Sequence, residues 1–303
     1  MYTQYLDQLT LWSEKREVDF IVTQSATCYN SIYPFKVFLN NDLKKIELAP
    51  ITIFYGSNGS GKTTLLNIIA EKARVRRHSP FNGGAFFDDY VHGCRLSGRS
   101  VPEKSEILTS DDVFDYLLDV RCLNEDLDAR REALFEEYGS RASQYKDTSK
   151  LTKPEPANFL RDYDEWKQNF EAFQKSRSQF TKKRMAMNVD MYSNGESAMR
   201  FFVDHITEGA LYLLDEPENS LSISLQQELC AYIAASARHY GCQFIIATHS
   251  PVLLSMENAL IYDLDEYPIK TKKWTELENV RKYFDFFESH RAEFLSNEMA
   301  DEA

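Results

Sequence analysis

Residues 56–63, Gly-Ser-Asn-Gly-Ser-Gly-Lys-Thr, fit the pattern G-x-x-x-x-G-K-[ST] and stand between two segments of opposite periodicity. Before them, Ile51–Tyr55 is a short apolar run of strand type. After them, Thr63–Ala73 carries apolar residues at 65, 66, 68, 69, 70 and 73, the spacing of a buried helix. Composition alone would produce the pattern in about one chain in a hundred. A strand, a glycine-rich turn and a helix in immediate succession are what a phosphate cradle needs, because the turn can curl backbone amides around oxygens in front of a helix N-terminus. On this reading Gly56, Ser57, Asn58, Gly59, Ser60, Gly61, Lys62, Thr63 and Thr64 form a nucleotide-binding loop. Lys62 is placed to reach the β and γ phosphates, and the Thr63 hydroxyl to ligate Mg2+.

Two later segments supply matching chemistry. Leu211-Tyr-Leu-Leu-Asp215-Glu216-Pro-Glu218 is an apolar strand that ends in carboxylates. Asp215 is the candidate second ligand of the magnesium, and Glu216 the candidate group that aligns or deprotonates the attacking water. Ala247-Thr248-His249-Ser250 ends the next expected strand, where His249 can donate a hydrogen bond as charge develops on the γ phosphate. Glu216, His249 and Lys62 are therefore the candidate catalytic residues.

The remaining chain reads as α/β. Helices are expected over 196–207, 221–240 and 275–296, and strands over 107–109, 210–214, 243–248 and 259–262, which implies a mostly parallel sheet covered on both faces. Short aromatic and β-branched runs at 20–23, 35–39 and 45–48 suggest an antiparallel part near the start. Residues 74–105, broken by glycine and proline, read as loop. Phe159, Tyr163, Trp166, Phe170, Phe173 and Phe180 form a heptad seam, and 111–138 is its expected antiparallel partner, with Asn124-Glu125-Asp126 as an expected break. Ten acids and three arginines lie between 111 and 137, whereas 175–184 holds five basic residues and no acid, which suits such a pairing. The chain is thus expected to divide into 1–109 and 189–303, one discontinuous ATPase domain, and 110–188, a helical hairpin inserted in it.

Apolar residues make up 43% of the 303 and charged ones 27%, an ordinary folded composition. A net charge of −12 argues against coating nucleic acid by bulk charge, although the basic clusters at 74–78 and 175–184 permit a local contact. Five scattered cysteines without a CxxC pair suit a reducing cytoplasm. No stretch is long and apolar enough for a membrane span, and the first residues do not read as a secretory signal.

The segments GSNGSGKTT, LYLLDEPE and ATHSP, in this order, resemble the ATP-binding-cassette (ABC) ATPase superfamily. Tyr192-Ser193-Asn194-Gly195-Glu196, 22 residues before Asp215 (215 minus 193), resembles the signature written LSGGQ and opens a helix. The resemblance implies a P-loop ATPase fold with a mixed sheet. It also implies that Ser193, Asn194, Gly195 and Glu196 act in trans on ATP held by a second copy, so that two chains form a homodimer around ATP. Asn219-Ser220-Leu221-Ser222 occupies the D-loop position of that interface. No glutamine stands at the Q-loop position, where Ser110, Asp111 or Asp112 is found instead. With Asn194 and Glu196 in the signature, the sequence looks more like the soluble SMC and RecF branch than like transporter subunits.

Relatives of that branch occur in anti-phage defence and DNA repair, so a protein effector, a nuclease or nucleic acid is the expected partner, with no membrane. A regulatory ATP clamp that restrains a toxin with little turnover is the alternative, and a transporter subunit the weaker one. Asp263-Leu-Asp265-Glu266 superficially resembles the paired acids of a nuclease, but the 54 residues after His249 (303 minus 249) are too few for that domain. Tyr33 and Phe35 are candidates to stack on adenine, but each reads first as a strand core residue.

Overall fold

The computed structural model describes residues 2–24, 31–38, 45–144, 167 and 193–295, with 141–144 described in backbone only. The chain divides into two compact units, one of residues 1–114 with 193–303 and one of 115–192.

The first unit is built on a six-stranded sheet. Its strands are β3 (Ile51–Tyr55), β5 (Glu106–Thr109), β6 (Leu211–Asp215), β7 (Gln243–Thr248), β8 (Leu260–Asp263) and β9 (Lys270–Thr271), in the order β5-β6-β7-β3-β8-β9. All pairs are parallel except β8 with β9. Every residue of β3 and β7 is buried, as expected of central parallel strands covered on both faces. Ile53 pairs with Ile246 on one side and Ile261 on the other, so branched side chains stack across the middle of the sheet.

A second sheet is antiparallel: β1 (Leu6–Thr10) lies between β2 (Lys45–Glu47) and β4 (Arg95–Gly98). Helix α2 (Lys62–Ala73) packs against β6 and β7 of the large sheet and β4 of the small one, which explains why eight of its twelve residues are buried. Leu65, Leu66, Ile68 and Ile69 join Leu6, Leu9, Ile46, Phe54, Leu213 and Ile245 in one core. Gln243 ties the sheets together without an unpaired group. Its Oε1 accepts from the amides of Tyr5 and Leu6 at 2.8 Å each, and its Nε2 donates to Leu6 O and Ala49 O at 2.8 and 3.0 Å.

Several expectations are corrected. Residues 20–23 end a helix, α1 (Glu14–Thr23), whose first turn carries Glu14 and Glu17. Its Phe20 stacks on Phe35 at 4.5 Å and meets Trp12 edge-on, so the aromatic run serves a helix–loop contact rather than a strand. Residues 33–38 form turns, and β1 and β4 supply the antiparallel part together with β2. Within 74–105 the structure has β4 and a short helix, α3 (Phe87–Gly93), held by the buried Tyr90 and Phe87.

Helix α4 (Ser110–Gln144) is continuous, with no break at 124–126, because none of Asn, Glu and Asp removes a backbone donor and only glycine or proline there would interrupt the ladder strongly. The aromatic seam from 159 to 180 and the basic run from 175 to 184 lie outside the described residues. Among the described residues the remaining helices are α5 (Asn194–His205), α6 (Ile223–His239), α7 (Pro251–Leu254) and α8 (Glu278–Ser289), with 3-10 turns at Pro217–Ser220 and Trp274–Glu276. Among the described residues, no helix is long and apolar enough to cross a membrane.

Candidate nucleotide site

Strands β6, β7 and β3 are neighbours and parallel, so their carboxyl ends open on the same edge of the sheet. That edge gathers Asp215 and Glu216 after β6, His249 after β7 and the glycine loop after β3, segments up to about 190 residues apart in sequence.

The loop enters α2 through Gly61, at φ 96° and ψ 10°, a left-handed conformation that favours glycine. A Cβ there would also lie 2.8 Å from Phe38 Cε1. No side chain caps α2, which leaves the amides of its first turn for a ligand. Lys62 is buried, and its ammonium donates to the carbonyls of Gly56 and Ser57 at 2.8 and 3.1 Å and lies 3.8 Å from Glu216 Oε1. Thr63 Oγ1 donates to Asp215 Oδ1 at 3.1 Å. Thr64 Oγ1 lies 3.0 Å from the hydroxyl of Tyr33.

Burial pushes the carboxyl of Asp215 up to about 6; the Thr63 hydrogen bond lowers it, Glu216 and Glu218 raise it further, and Lys62 opposes them. Three carboxylates thus share one strand end with one ammonium. A hydroxyl and a carboxylate in contact beside such an excess of negative charge are hard oxygen donors of the kind Mg2+ takes together with phosphate oxygens. The residues fit the ion.

Glu216 has φ 48° and ψ 53°, a left-handed backbone in a residue with a Cβ. Such a conformation costs about 1–2 kcal/mol and is held in place by its surroundings. Here Glu216 N donates to Ala247 O at 2.9 Å, and Asn219 Nδ2 donates to Glu216 Oε2 at 3.2 Å. Its Oε1 faces His249 Nδ1 at 3.8 Å.

Glu218 is a functional candidate that the motifs did not single out. It is buried, and its Oε1 accepts from Thr248 Oγ1 at 2.5 Å, His249 N at 3.0 Å and Ser250 N at 3.2 Å, while His249 Nδ1 lies 3.4 Å away. Its place two residues after Glu216, across a proline, was the available signal.

Asp265 was also missed: its carboxylate accepts from the amide of Ser57 at 2.7 and 2.9 Å and from the Ser57 hydroxyl at 2.8 Å, which fastens β8 to the glycine loop. Lys272 pairs with Asp263 at 3.0 Å and with Glu266. All three acids of that segment therefore have structural partners.

Ser193 caps α5 in a reciprocal box: the Glu196 amide donates to Ser193 Oγ at 3.3 Å, while the amide and hydroxyl of Ser193 donate to Glu196 Oε2 at 2.8 and 2.7 Å. The Ser193 donors expected to meet an anion are thus engaged by the helix's own carboxylate within one chain. A Cβ at Gly195 would lie 2.8 Å from Leu225 Cδ1, so the first turn of α5 sits directly on α6. Asn194 opens the helix itself, and Tyr192 lies outside the described residues.

Three other expectations resolve. Asp112, at the Q-loop position, is a buried clamp: its Oδ1 accepts from Ser79 N and Oγ at 3.0 and 2.5 Å, and its Oδ2 from Thr109 N and Oγ1 at 2.7 and 2.8 Å. Ser110 is half-buried and Asp111 exposed. Phe35 is a core residue in a turn, packed by Trp12, Phe20 and Tyr90.

Residues 74–78 are not one basic patch. Arg74 and Arg76 are exposed, but Arg77 turns inward, donating to Asn67 Oδ1 at 2.5 Å and lying 4.4 Å over the ring of Phe81. Burial lowers its pKa, against the opposing charges of Glu71, Asp112 and Asp215.

A family described as "AAA domain, putative AbiEii toxin, Type IV TA system" matches residues 125–255. The fold is similar to an Smc head domain from Pyrococcus furiosus, solved with an extended coiled coil and the C-terminal domain of ScpA; identity is 14%, coverage 95% of this chain and 99% of that one, and TM-score 0.39. It is similar also to a dimeric ATP-binding cassette in a post-hydrolysis state with ADP and Pi, at 14% identity, with 76% of this chain and 90% of that one covered and a TM-score of 0.34. No curated protein matches the sequence. The glycine loop between a strand and a helix, the acidic strand end and this partial family match together support an ABC-type ATPase of the SMC/RecF-like P-loop kind.

Proposed function

We propose that the chain binds ATP with Mg2+ and hydrolyses it, and that two copies close head to tail on the nucleotide to control a partner effector, nuclease or nucleic acid. One observation carries the reading: Lys62, Thr63, Asp215, Glu216 and His249, from three distant segments, meet within 3.1–3.8 Å at one sheet edge. Thr63 and Asp215 would hold the magnesium, which when bound neutralises charge on the phosphate oxygens.

Lys62 leaves the loop carbonyls for the β and γ phosphates, and the first-turn amides of α2 cradle the same oxygens. Glu216, freed from that ammonium, accepts a hydrogen bond from a water and takes its proton as the water attacks the γ phosphorus; the bond to the β,γ-bridging oxygen breaks and ADP leaves. His249 donates to a γ oxygen in the transition state, where a hydrogen bond counts more than in the ground state. Ser193–Glu196 of the second copy would close the site from the other side, with Ser193 released from Glu196.

The matched family's description names a toxin of a type IV toxin–antitoxin system, which supports an effector-linked role; anti-phage defence and DNA repair are the settings proposed. The same description favours a second reading, an ATP clamp that restrains an effector with little turnover.

The test is Glu216→Gln. With ATP and Mg2+ it is expected to elute as a dimer in size exclusion and to lose about 100-fold or more of the hydrolysis rate. A variant that stays monomeric and hydrolyses at the parental rate defeats the proposal. Parental turnover close to that of Glu216→Gln, with dimerisation retained, selects the clamp.

A further inference from the structure

We propose that His78, Glu106 and His205 form a second, separate metal site, for a divalent ion of the zinc class. Their ligand atoms all lie within 4.8 Å of one another. Glu106 is only 3% exposed, on edge strand β5, and a carboxylate that deep needs compensating charge or hydrogen bonds. Among the described residues neither lysine nor arginine pairs with it; instead each oxygen faces one imidazole, Oε1 to His78 Nε2 at 2.6 Å and Oε2 to His205 Nδ1 at 3.2 Å.

The three donors come from unrelated segments: the strand-like run after α2, strand β5 and the last turn of α5. The run is fixed beside β5 by Arg76 N donating to Ser105 O and Ile107 N to Arg76 O, both at 2.9 Å. The ring of His205 is held against Phe201 at 4.2 Å and meets that of His78 edge-on at 5.6 Å. Both imidazoles are therefore oriented by packing as well as by the carboxylate.

Tetrahedral zinc with bonds of about 2.0–2.1 Å sets its ligand atoms about 3.3 Å apart. The two contacts use different oxygens of Glu106, so an ion held by one of them, with the three ligand atoms already within 4.8 Å of one another, needs only that the other imidazole swing toward the shared oxygen. Two imidazoles and one carboxylate are a recognised three-ligand zinc set that leaves a fourth position to water, and His78, with 55% of its side chain exposed, opens the site to solvent. Imidazole nitrogen also separates this site from Thr63–Asp215, whose oxygen donors suit magnesium. The ion would fasten the end of the phosphate-loop helix α2 to the end of the signature helix α5 across the edge of the sheet.

The experiment is calorimetric titration of Zn2+ into the full chain after chelator treatment, without nucleotide or Mg2+, followed by Co2+ as a spectroscopic probe. One ion per chain is expected, with Co2+ giving visible bands of a nitrogen–oxygen site and no thiolate charge-transfer band. Glu106→Gln and His205→Asn should each weaken binding by at least about tenfold. Asp215→Asn and Cys122→Ser should leave it unchanged. His78→Asn, at the exposed ligand, carries the test if Glu106→Gln does not fold. Zn2+ affinity unaltered by the ligand variants, a thiolate band, or no binding at all overturns the metal site and leaves the triad as a hydrogen-bonded latch.

Discussion

Thr248 Oγ1 and the amides of His249 and Ser250 converge on one carboxylate oxygen, Glu218 Oε1, while Glu218 Oε2 is buried with no hydrogen-bond partner. Glu218 thus fixes the backbone that carries His249, and it acts as a positioning residue. Glu218→Ala removes the acceptor of the buried Thr248 hydroxyl and of the His249 amide and leaves the Ser250 amide with Thr248 Oγ1 alone. It should lower stability by about 2–4 kcal/mol and kcat by about tenfold, with KM for ATP changing less than about threefold; a KM rise at constant kcat would place Glu218 in nucleotide binding instead.

Asp215 behaves oppositely. Its folded pKa, about 6, is above its ordinary 3.8, so between those values the unfolded chain gives up the proton and the folded one keeps it. Stability from this group is full below pH 4, falls as pH rises, and is lost above about 6. At pH 7 Asp215→Asn should therefore raise the stability of the nucleotide-free protein by about 1–3 kcal/mol while abolishing Mg2+-dependent hydrolysis. Thermal melts at pH 5 and 7 check the sign, since the advantage of the variant must shrink at pH 5. Sequence made both carboxylates visible as a strand end; it could not distinguish a clamp from a ligand, because that depends on which donors β7 brings alongside.

At the scale of elements, α5 is closed at its N-terminus by its own residue. The Ser193 amide and hydroxyl satisfy Glu196, and these hydrogen bonds hold the Glu196 carboxyl below its usual range. A phosphate arriving from a second copy would meet that negative charge. Glu196→Gln removes it, so in the Glu216→Gln background the double variant should reach half-dimerisation at a lower ATP concentration, with a small loss of thermal stability from the weakened capping box. An unchanged ATP dependence would mean that α5 does not face the nucleotide.

The central elements were legible because their signals are strong and local: β3, α2, β6 and β7 each combine a clear period with a motif that punctuates its end. The elements at the periphery were not. α1 carries Phe20, Ile21, Val22 and Thr23, residues of strand propensity, yet it is helical because Phe20 gains the rings of Trp12 and Phe35. β4 ends on Gly98 at φ 152°, where a Cβ would overlap Tyr5 O, so a residue that reads as a loop marker is there to let β1 approach.

For the whole molecule, the proposal requires each ATP site to be composed from two chains: the glycine loop of one and the signature of the other. The two-fold axis of such a dimer makes each chain complete its neighbour's site, a property that no single-chain mechanism shares. Lys62→Ala disables the phosphate loop of its own chain, and Ser193→Ala disables the signature that its chain offers to a neighbour. Each variant alone should hydrolyse ATP at under about 5% of the parental rate, by loss of transition-state contacts.

Mixed in equal amounts, the two should regain activity. In a mixed dimer one site pairs the intact loop of the Ser193→Ala chain with the intact signature of the Lys62→Ala chain, while the other site has both defects. Random assortment makes half of the dimers mixed, each with one working site of two, so the mixture should approach about a quarter of the parental rate. A sandwich whose two sites must fire together would give less, but still more than either variant alone. If the mixture is no more active than the mean of its components, the chain does not complete its neighbour's site, and hydrolysis would have to be explained within one subunit.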